Sequence, residues 1–139
     1  MKYKIVGIIF NFTSYIPLAL PMYKATIGKE ESFESIIRGF DLCEFSPWGS
    51  LLVTMPIILL AISFLKIRNS IKNLLLILFY MINTIIVHLA TFAAGNWIRE
   101  TADGFVNFKP YILFYLLSMF LGLICLYVHN NKYYDYSEF

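Results

Sequence analysis

Apolar residues are gathered into four long stretches, each bounded by charged or turn-forming residues. The stretches cover residues 5–23, 50–67, 71–95 and 111–128. Their lengths match the about 17 to 25 residues that a helix needs to cross a hydrocarbon core of about 30 Å. A backbone in lipid must satisfy its own hydrogen bonds, and the stretches lack the alternation typical of barrel strands. Each stretch therefore predicts a transmembrane helix.

The predicted fold class is an all-α integral membrane protein, with residues 1–139 forming one domain built as a four-helix transmembrane bundle. Composition supports this class, because 59% of the residues are hydrophobic and 14% are charged, against about 45–50% and 25% in soluble domains. A cleaved signal peptide is the rival interpretation of the first stretch, since Lys2 and Lys4 precede it. Pro17 and Pro21 crowd the region where a cleavage site would lie, so we expect the stretch to be retained.

Charges between the stretches predict the orientation. With the N-terminus in the cytoplasm, the inner side carries six cations and two anions, and the outer side carries five cations and seven anions. Cations in short loops weigh most in the positive-inside rule, and the short 66–72 connection holds Lys66, Arg68 and Lys72. We therefore expect a multi-pass protein of the cell membrane with both termini cytoplasmic and with outer loops 24–49 and 96–110.

The first outer loop contains a helical repeat. Phe33, Ile36, Ile37 and Phe40 follow the spacing i, i+3, i+4 and i+7, and Ser32 is a suitable N-cap. The repeat predicts a short amphipathic helix at the outer interface or over the mouth of the bundle. Acidic residues around it would suit a cationic partner. The candidate partner-binding residues of this loop are Glu30, Glu31, Phe33, Glu34, Ile37, Phe40, Asp41 and Glu44.

A polar stripe marks the third stretch as a candidate intramembrane site, and its members are Tyr80, Asn83, Thr84, His88 and Thr91. An ionisable side chain at this depth is expected to face the bundle interior or a wet cavity. His88 is then either a proton relay or ligand contact, or a structural neutral histidine that bonds across the bundle to Asn11 or Tyr15.

Two further features concern packing and redox chemistry. Ser118 and Gly122 have the spacing that lets another helix approach closely, either within the chain or in a dimer. The predicted topology places Cys43 outside and Cys125 near the inner end of the fourth stretch, so these two residues are not expected to form a disulfide within the chain.

Catalytic chemistry has little support in this sequence. It contains no H-E-x-x-H pair, no G-x-S-x-G turn, no phosphate-binding glycine loop and no paired carboxylates within the stretches. We expect no enzyme activity, no catalytic residue, no metal site and no cofactor. The net charge of +2 and the lack of a basic cluster give no indication of nucleic-acid binding.

The remaining function classes are both membrane classes. The favoured one is a small non-enzymatic accessory protein, either an immunity-type factor or a subunit of a membrane complex, whose partners are the lipid bilayer and another membrane protein or further copies of itself. The alternative is a small oligomeric transporter or channel lined by the polar stripe. Abundant Ile, Asn and Lys hint at a bacterial source.

Overall fold

The computed structural model describes residues 2–27, 33–102, 105–108 and 111–132, and this part of the chain is mostly helical. Its helices are α1 Lys2–Thr13, α2 Tyr15–Ala19, α3 Leu42–Phe45, α4 Pro47–Phe64, α5 Asn69–Ala102 and α6 Tyr111–Lys132. Its strands are β1 Pro21–Ile27, β2 Phe33–Arg38 and β3 Phe105–Phe108. Three of the described helices, namely α4, α5 and α6, are long and apolar enough to cross a membrane.

The three long helices lie where the second, third and fourth apolar stretches predict them. The α5 helix continues past the predicted end at residue 95 as far as Ala102, because residues 96–102 contain no glycine or proline and include the good helix formers Arg99 and Glu100. Its 34 residues give it a length of about 51 Å at the helical rise. The helix is therefore longer than a hydrocarbon core and projects beyond one.

The first predicted stretch is divided rather than continuous. A turn at Ser14 separates α1 from α2, and the helix ends at Ala19 instead of residue 23. The break is slight, because Ser14 keeps helical dihedral angles and its N–H donates to Phe10 O at 3.2 Å. Pro17 has no N–H, so it cannot donate to the carbonyl of Thr13 as in an uninterrupted helix. Neither α1 nor α2 reaches the length of a membrane span by itself.

Two glycines allow α1 to pack closely against α6. A Cβ at Gly7 would lie 2.8 Å from Leu126 Cγ, and a Cβ at Gly122 would lie 2.8 Å from Asn11 Nδ2. A larger residue at either position would force Leu126 or Asn11 to move, and its Cβ would also lie 3.1 Å or 3.2 Å from a carbonyl oxygen of the facing helix. Glycine at both positions lets the two helix backbones lie close together without that displacement.

The close approach also aligns hydroxyl groups across the two helices. Ser118 Oγ donates to Phe10 O at 2.8 Å and lies 2.9 Å from Thr13 Oγ1. Of the two roles that the sequence leaves open for the Ser118 and Gly122 pair, the structure shows the internal one.

A three-stranded sheet takes the place of the predicted outer-loop helix. Its strand order is β2-β1-β3, and both pairs are antiparallel. In the backbone register, Lys24 of β1 is paired with Ile36 of β2 and with Asn107 of β3. The prediction of an amphipathic helix over residues 32–40 is wrong for residues 33–38. Pairing with β1 satisfies this backbone in the extended form, which also suits β-branched Ile36 and Ile37.

The bundle has two distinct ends. The sheet end carries β1 to β3 and α3, while the terminal end holds the start of α1 and the end of α6. At the terminal end Lys132 Nζ lies 3.3 Å from Tyr3 Oη, and Lys4 Nζ sits 4.4 Å above the Phe64 ring. The beginning of α1 therefore lies beside the ends of α4 and α6.

Large apolar side chains cover much of the outer surface of the helices. Ile9, Phe12 and Leu74 are exposed, as is Phe92, which retains 68% of its full accessibility. Exposure of many large apolar side chains is typical of surfaces that contact lipid or another protein. The packed core lies between the helices and includes Leu52, Leu76, Tyr115 and Met119 among its fully buried members.

Candidate functional site

A buried polar network joins α4, α5 and α6 in the centre of the bundle. Tyr115 Oη of α6 lies 3.0 Å from Leu52 O of α4 and 2.9 Å from Asn83 Oδ1 of α5. The side chains of Tyr115 and Asn83 are completely buried. A single phenolic oxygen thus connects the three long helices.

Pro56 explains why the carbonyl of Leu52 needs a side-chain donor. In an uninterrupted helix the N–H of residue 56 would donate to the carbonyl of residue 52, but a proline has no N–H. Pro56 lies inside α4, so Leu52 O is released from its helical bond. Tyr115 supplies the missing donor from the neighbouring helix.

The number of available protons determines how Asn83 joins this network. The phenol of Tyr115 has one proton, which cannot be donated to both Leu52 O and Asn83. Asn83 Nδ2 is buried and has no partner among the described residues. The O and N atoms of a carboxamide exchange places by a half-turn, so Asn83 is best satisfied when it donates to Tyr115 and Tyr115 donates to Leu52.

Tyr80, Thr84, His88 and Thr91 share one side of α5 within about 80°, and Asn83 lies apart from them. At 100° per residue, Asn83 and His88 lie about 140° apart around α5. Asn83 is buried, and Tyr80, Thr84 and Thr91 are half-buried at the edge of the packed face. Tyr80 Oη donates to Leu116 O at 3.3 Å, and Thr84 Oγ1 donates to Tyr80 O at 3.1 Å. Tyr80 therefore bonds to α6, and Thr84 bonds within α5.

His88 lies outside the bundle interior, contrary to the expectation from the sequence. Its side chain is exposed on the outer surface of α5. The two groups predicted as its structural partners have other contacts: Asn11 Nδ2 donates to Gly7 O at 2.9 Å, and Tyr15 Oη donates to Val53 O at 3.0 Å. The histidine consequently takes no part in the packing that unites the helices.

The predicted partner-binding residues at the sheet end fall into two groups. Ile37 is buried, the ring of Phe40 stacks on that of Tyr15 at 6.3 Å, and Asp41 Oδ2 accepts the backbone N–H of Arg38 at 2.7 Å. The first two contacts anchor the segment to the bundle, although Phe40 keeps 39% of its accessibility, and the Asp41 bond stabilises the turn within the segment. Glu44 is exposed and available to a partner.

The structure describes two of the other four residues of this set. Phe33 and Glu34 belong to β2, where the structure describes the backbone. Glu30 and Glu31 lie outside the described residues.

The outward surface at the sheet end includes residues that the helical interpretation did not select. Ile36 keeps 61% of its accessibility, and Arg38, Cys43 and Trp48 are also exposed. Ile36 points outward while Ile37 points inward, as alternation along a strand requires. We name the exposed set Ile36, Arg38, Cys43, Glu44 and Trp48 the sheet-end surface.

Asparagines connect the helices at the terminal end. Asn130 Nδ2 donates to Asn73 Oδ1 at 2.8 Å, Asn73 Nδ2 donates to Asn131 Oδ1 at 2.8 Å, and Asn69 Nδ2 donates to Asn130 O at 3.0 Å. Asn73 and Asn130 are buried. Their carboxamides join the start of α5 to the end of α6 without any charged group.

Among the described residues, no three His, Cys, Asp or Glu side chains lie close enough together to hold a metal ion. Cys43 and Cys125 are free thiols. Comparisons of the chain with protein-family models, with curated proteins and with solved structures find no match.

Proposed function

We propose that this protein is a multi-pass protein of the cell membrane, with four crossings and both termini in the cytoplasm. Its three long apolar helices and its exposed apolar surface support insertion. The α1 and α2 segment supports a fourth crossing, because it packs along α6 from Tyr3 beside Lys132 to Thr13 beside Ser118.

The distribution of cations supports the proposed orientation. Lys2 and Lys4 begin α1, Lys72 lies in the first turns of α5, and Lys132 ends α6. All four are therefore at the terminal end, and Arg68 lies in the short connection beside them. The positive-inside rule assigns that end to the cytoplasm and the sheet end to the outside.

Within the membrane we propose a non-enzymatic accessory role, as an immunity-type factor or as a subunit of a membrane complex. The observation that carries this proposal is the anchored sheet with its outward Ile36. Burial of Ile37 and stacking of Phe40 on Tyr15 hold the segment against the bundle, so a partner meets a surface that is already ordered. An ordered surface reduces the entropic cost of binding.

The composition of the sheet-end surface fits recognition of a protein. Its exposed residues combine the apolar Ile36 with charged Arg38 and Glu44 and with the aromatic Trp48. Apolar centres with polar rims are typical of protein interfaces. The strand order also leaves β2 and β3 as sheet edges, and a partner strand can pair with such an edge.

Substitution of the sheet-end surface tests this role. The tagged protein is purified in mild detergent from its native cells, and companions are quantified by mass spectrometry. Ile36→Glu is expected to reduce a stoichiometric companion by about tenfold, the size of effect found when a central interface residue is changed. The combined variant Glu30→Lys, Glu31→Lys and Glu34→Lys is expected to weaken the same association.

The matched control is Ser70→Glu, which introduces a charge at an exposed position of the terminal end. The control should retain the companion at the level of the unmodified protein. Equal recovery with Ile36→Glu, with the acid-reversal variant and with the control would remove the sheet-end surface as the binding site.

A further inference from the structure

His88 lies deep in the proposed membrane and faces outward. The 27 positions from Lys72 to Arg99 along α5 correspond to about 40 Å, and a hydrocarbon core takes up about 30 Å of that length. His88 is then about 4 Å from the midpoint of the span. Its side chain is exposed there, although polar groups at this depth almost always face protein or water.

His88 belongs to a row of residues along α5 that are spaced as in helix packing, at alternating steps of four and three. We call this row the seam, and its members are Ile77, Met81, Thr84, His88, Thr91 and Gly95. Ile77, Met81 and His88 are exposed, and the other three lie half-buried at the edge of the packed face. A step that averages 3.5 residues is the repeat by which two helices pack in a left-handed coil.

Gly95 provides the room for a close approach. A Cβ built at this position would meet nothing within 4 Å, in contrast to Gly7 and Gly122, where the same atom would meet α6 or α1. A small residue with open space above it lets a second backbone come near. The open position lies two helical turns from His88 along the same seam.

We propose that the seam binds a second copy of this chain, so that two α5 helices pack side by side and His88 meets its counterpart. The proposal rests on the membrane insertion proposed above and goes beyond the accessory role. Copies inserted in one membrane share their orientation, so a two-fold axis along the membrane normal places each seam residue against itself. Lipid covers the apolar seam positions adequately, but it offers His88 no hydrogen bond.

The hydrogen-bonding groups of the His88 imidazole favour a second copy of this chain as the partner. A neutral imidazole has one N–H donor and one nitrogen acceptor, so it can bond to another imidazole without any further group. His88 is also the one ionisable residue in the seam, and its position corresponds to an a site of the heptad. A lone polar a residue fixes the register and the number of strands in such a pair.

Disulfide cross-linking in native membranes tests the interface. In a background with Cys43→Ser and Cys125→Ala, single cysteines are introduced at the seam as Thr84→Cys, His88→Cys and Gly95→Cys. Leu78→Cys and Leu89→Cys, on the exposed face away from the seam, are the matched controls. After mild oxidation we expect the seam variants to form at least about five times more dimer than the controls, since symmetric packing brings like residues together.

Several outcomes would overturn the proposal. Cross-links that are absent at the seam, or equal at seam and control positions, exclude this interface. A product that contains a different protein excludes the second copy as the occupant. Release of the chain from membranes by alkaline carbonate would overturn the proposed insertion and this interface together, whereas loss of the companion in purification would affect only the accessory role.

Reconstitution of the purified chain in liposomes measures how much His88 contributes to the affinity of the dimer. His88→Leu is expected to raise the dissociation constant of the dimer by about 3- to 20-fold, the range of one interhelical hydrogen bond in lipid. His88→Asn keeps a donor and an acceptor and should retain most of the affinity. Because His88 is exposed, both variants should fold, and equal affinity of His88→Leu and the unmodified chain would contradict the proposal.

Discussion

Gly49→Ala is expected to destabilise the protein by about 3 kcal/mol, at the upper end of the range for overpacking. Gly49 lies in the first turn of α4, against α3. A Cβ there would overlap the carbonyl group of Leu42 and would lie 2.6 Å from Cys43 N. These atoms belong to the backbone, so a change of rotamer cannot relieve the overlap. The two helices must separate.

The loss of stability is measured by unfolding the protein with SDS from a mild detergent, with the fluorescence of Trp48 and Trp97 as the readout. The matched control is Ser50→Ala, at an exposed position of the same helix. Alanine is a better helix former than serine by less than about 0.7 kcal/mol, so the control should be neutral or slightly stabilising. Equal stability of the two variants would contradict the close packing of α3 on α4.

Tyr115→Phe is expected to destabilise the protein by about 1 to 2 kcal/mol, because it removes the donor to Leu52 O and the partner of Asn83. The loss should depend on Pro56. In a Pro56→Ala background, the N–H of residue 56 can bond to Leu52 O within α4. Tyr115→Phe then leaves only Asn83 without its partner, so its effect should be smaller by about 1 kcal/mol.

The double-mutant cycle of Tyr115→Phe and Pro56→Ala separates this coupling from the loss of packing that Pro56→Ala causes alone. SDS unfolding of the four proteins gives the coupling energy. Tyr127→Phe, at an exposed position of α6, serves as the control and should leave stability unchanged. Additive effects of Tyr115→Phe and Pro56→Ala would show that Tyr115 does not compensate for the proline.

Apolar run length correctly predicts the three long helices, because it measures the property that allows a helix to cross a membrane. The predicted ranges 50–67, 71–95 and 111–128 differ from the observed helices mainly at their ends. Those ends depend on local caps and on helix propensity beyond the apolar run, as the extension of α5 to Ala102 illustrates.

The sheet could be recognised only in part. Phe33, Ile36, Ile37 and Phe40 fit a helical repeat, but a short apolar segment fits a helix or a strand equally well. A second signal was available, since Tyr23, Ala25 and Ile27 alternate with polar residues as a strand does. The strands pair with each other and with β3, which is distant in sequence, so the sheet depends on contacts that a local pattern does not contain.

The buried polar network could not be derived from the spacing of residues on α5. Helical geometry places Asn83 and His88 on different sides of α5, but only the packing shows that the Asn83 side is the buried one. Tyr115 can donate to Leu52 O only because α6 lies beside the proline-containing α4. Such contacts depend on how the helices are arranged, which the pattern of one helix does not contain.

The placement of cysteines across the membrane tests the proposed topology most directly. A membrane-impermeant maleimide is applied to intact cells that express the chain with Cys43 retained, or with Tyr3→Cys or Ser70→Cys in a Cys43→Ser background. All three positions are exposed in the structure, and Cys125→Ala removes the other thiol. Each variant is also labelled after permeabilisation.

Four crossings with cytoplasmic ends predict that Cys43 reacts in intact cells and that Tyr3→Cys and Ser70→Cys react only after permeabilisation. Labelling of Tyr3→Cys from outside together with Cys43, while Ser70→Cys stays protected, would remove the first crossing. Protection of Cys43 with labelling of Ser70→Cys from outside would reverse the orientation and contradict the assignment of the sheet-end surface to an external partner.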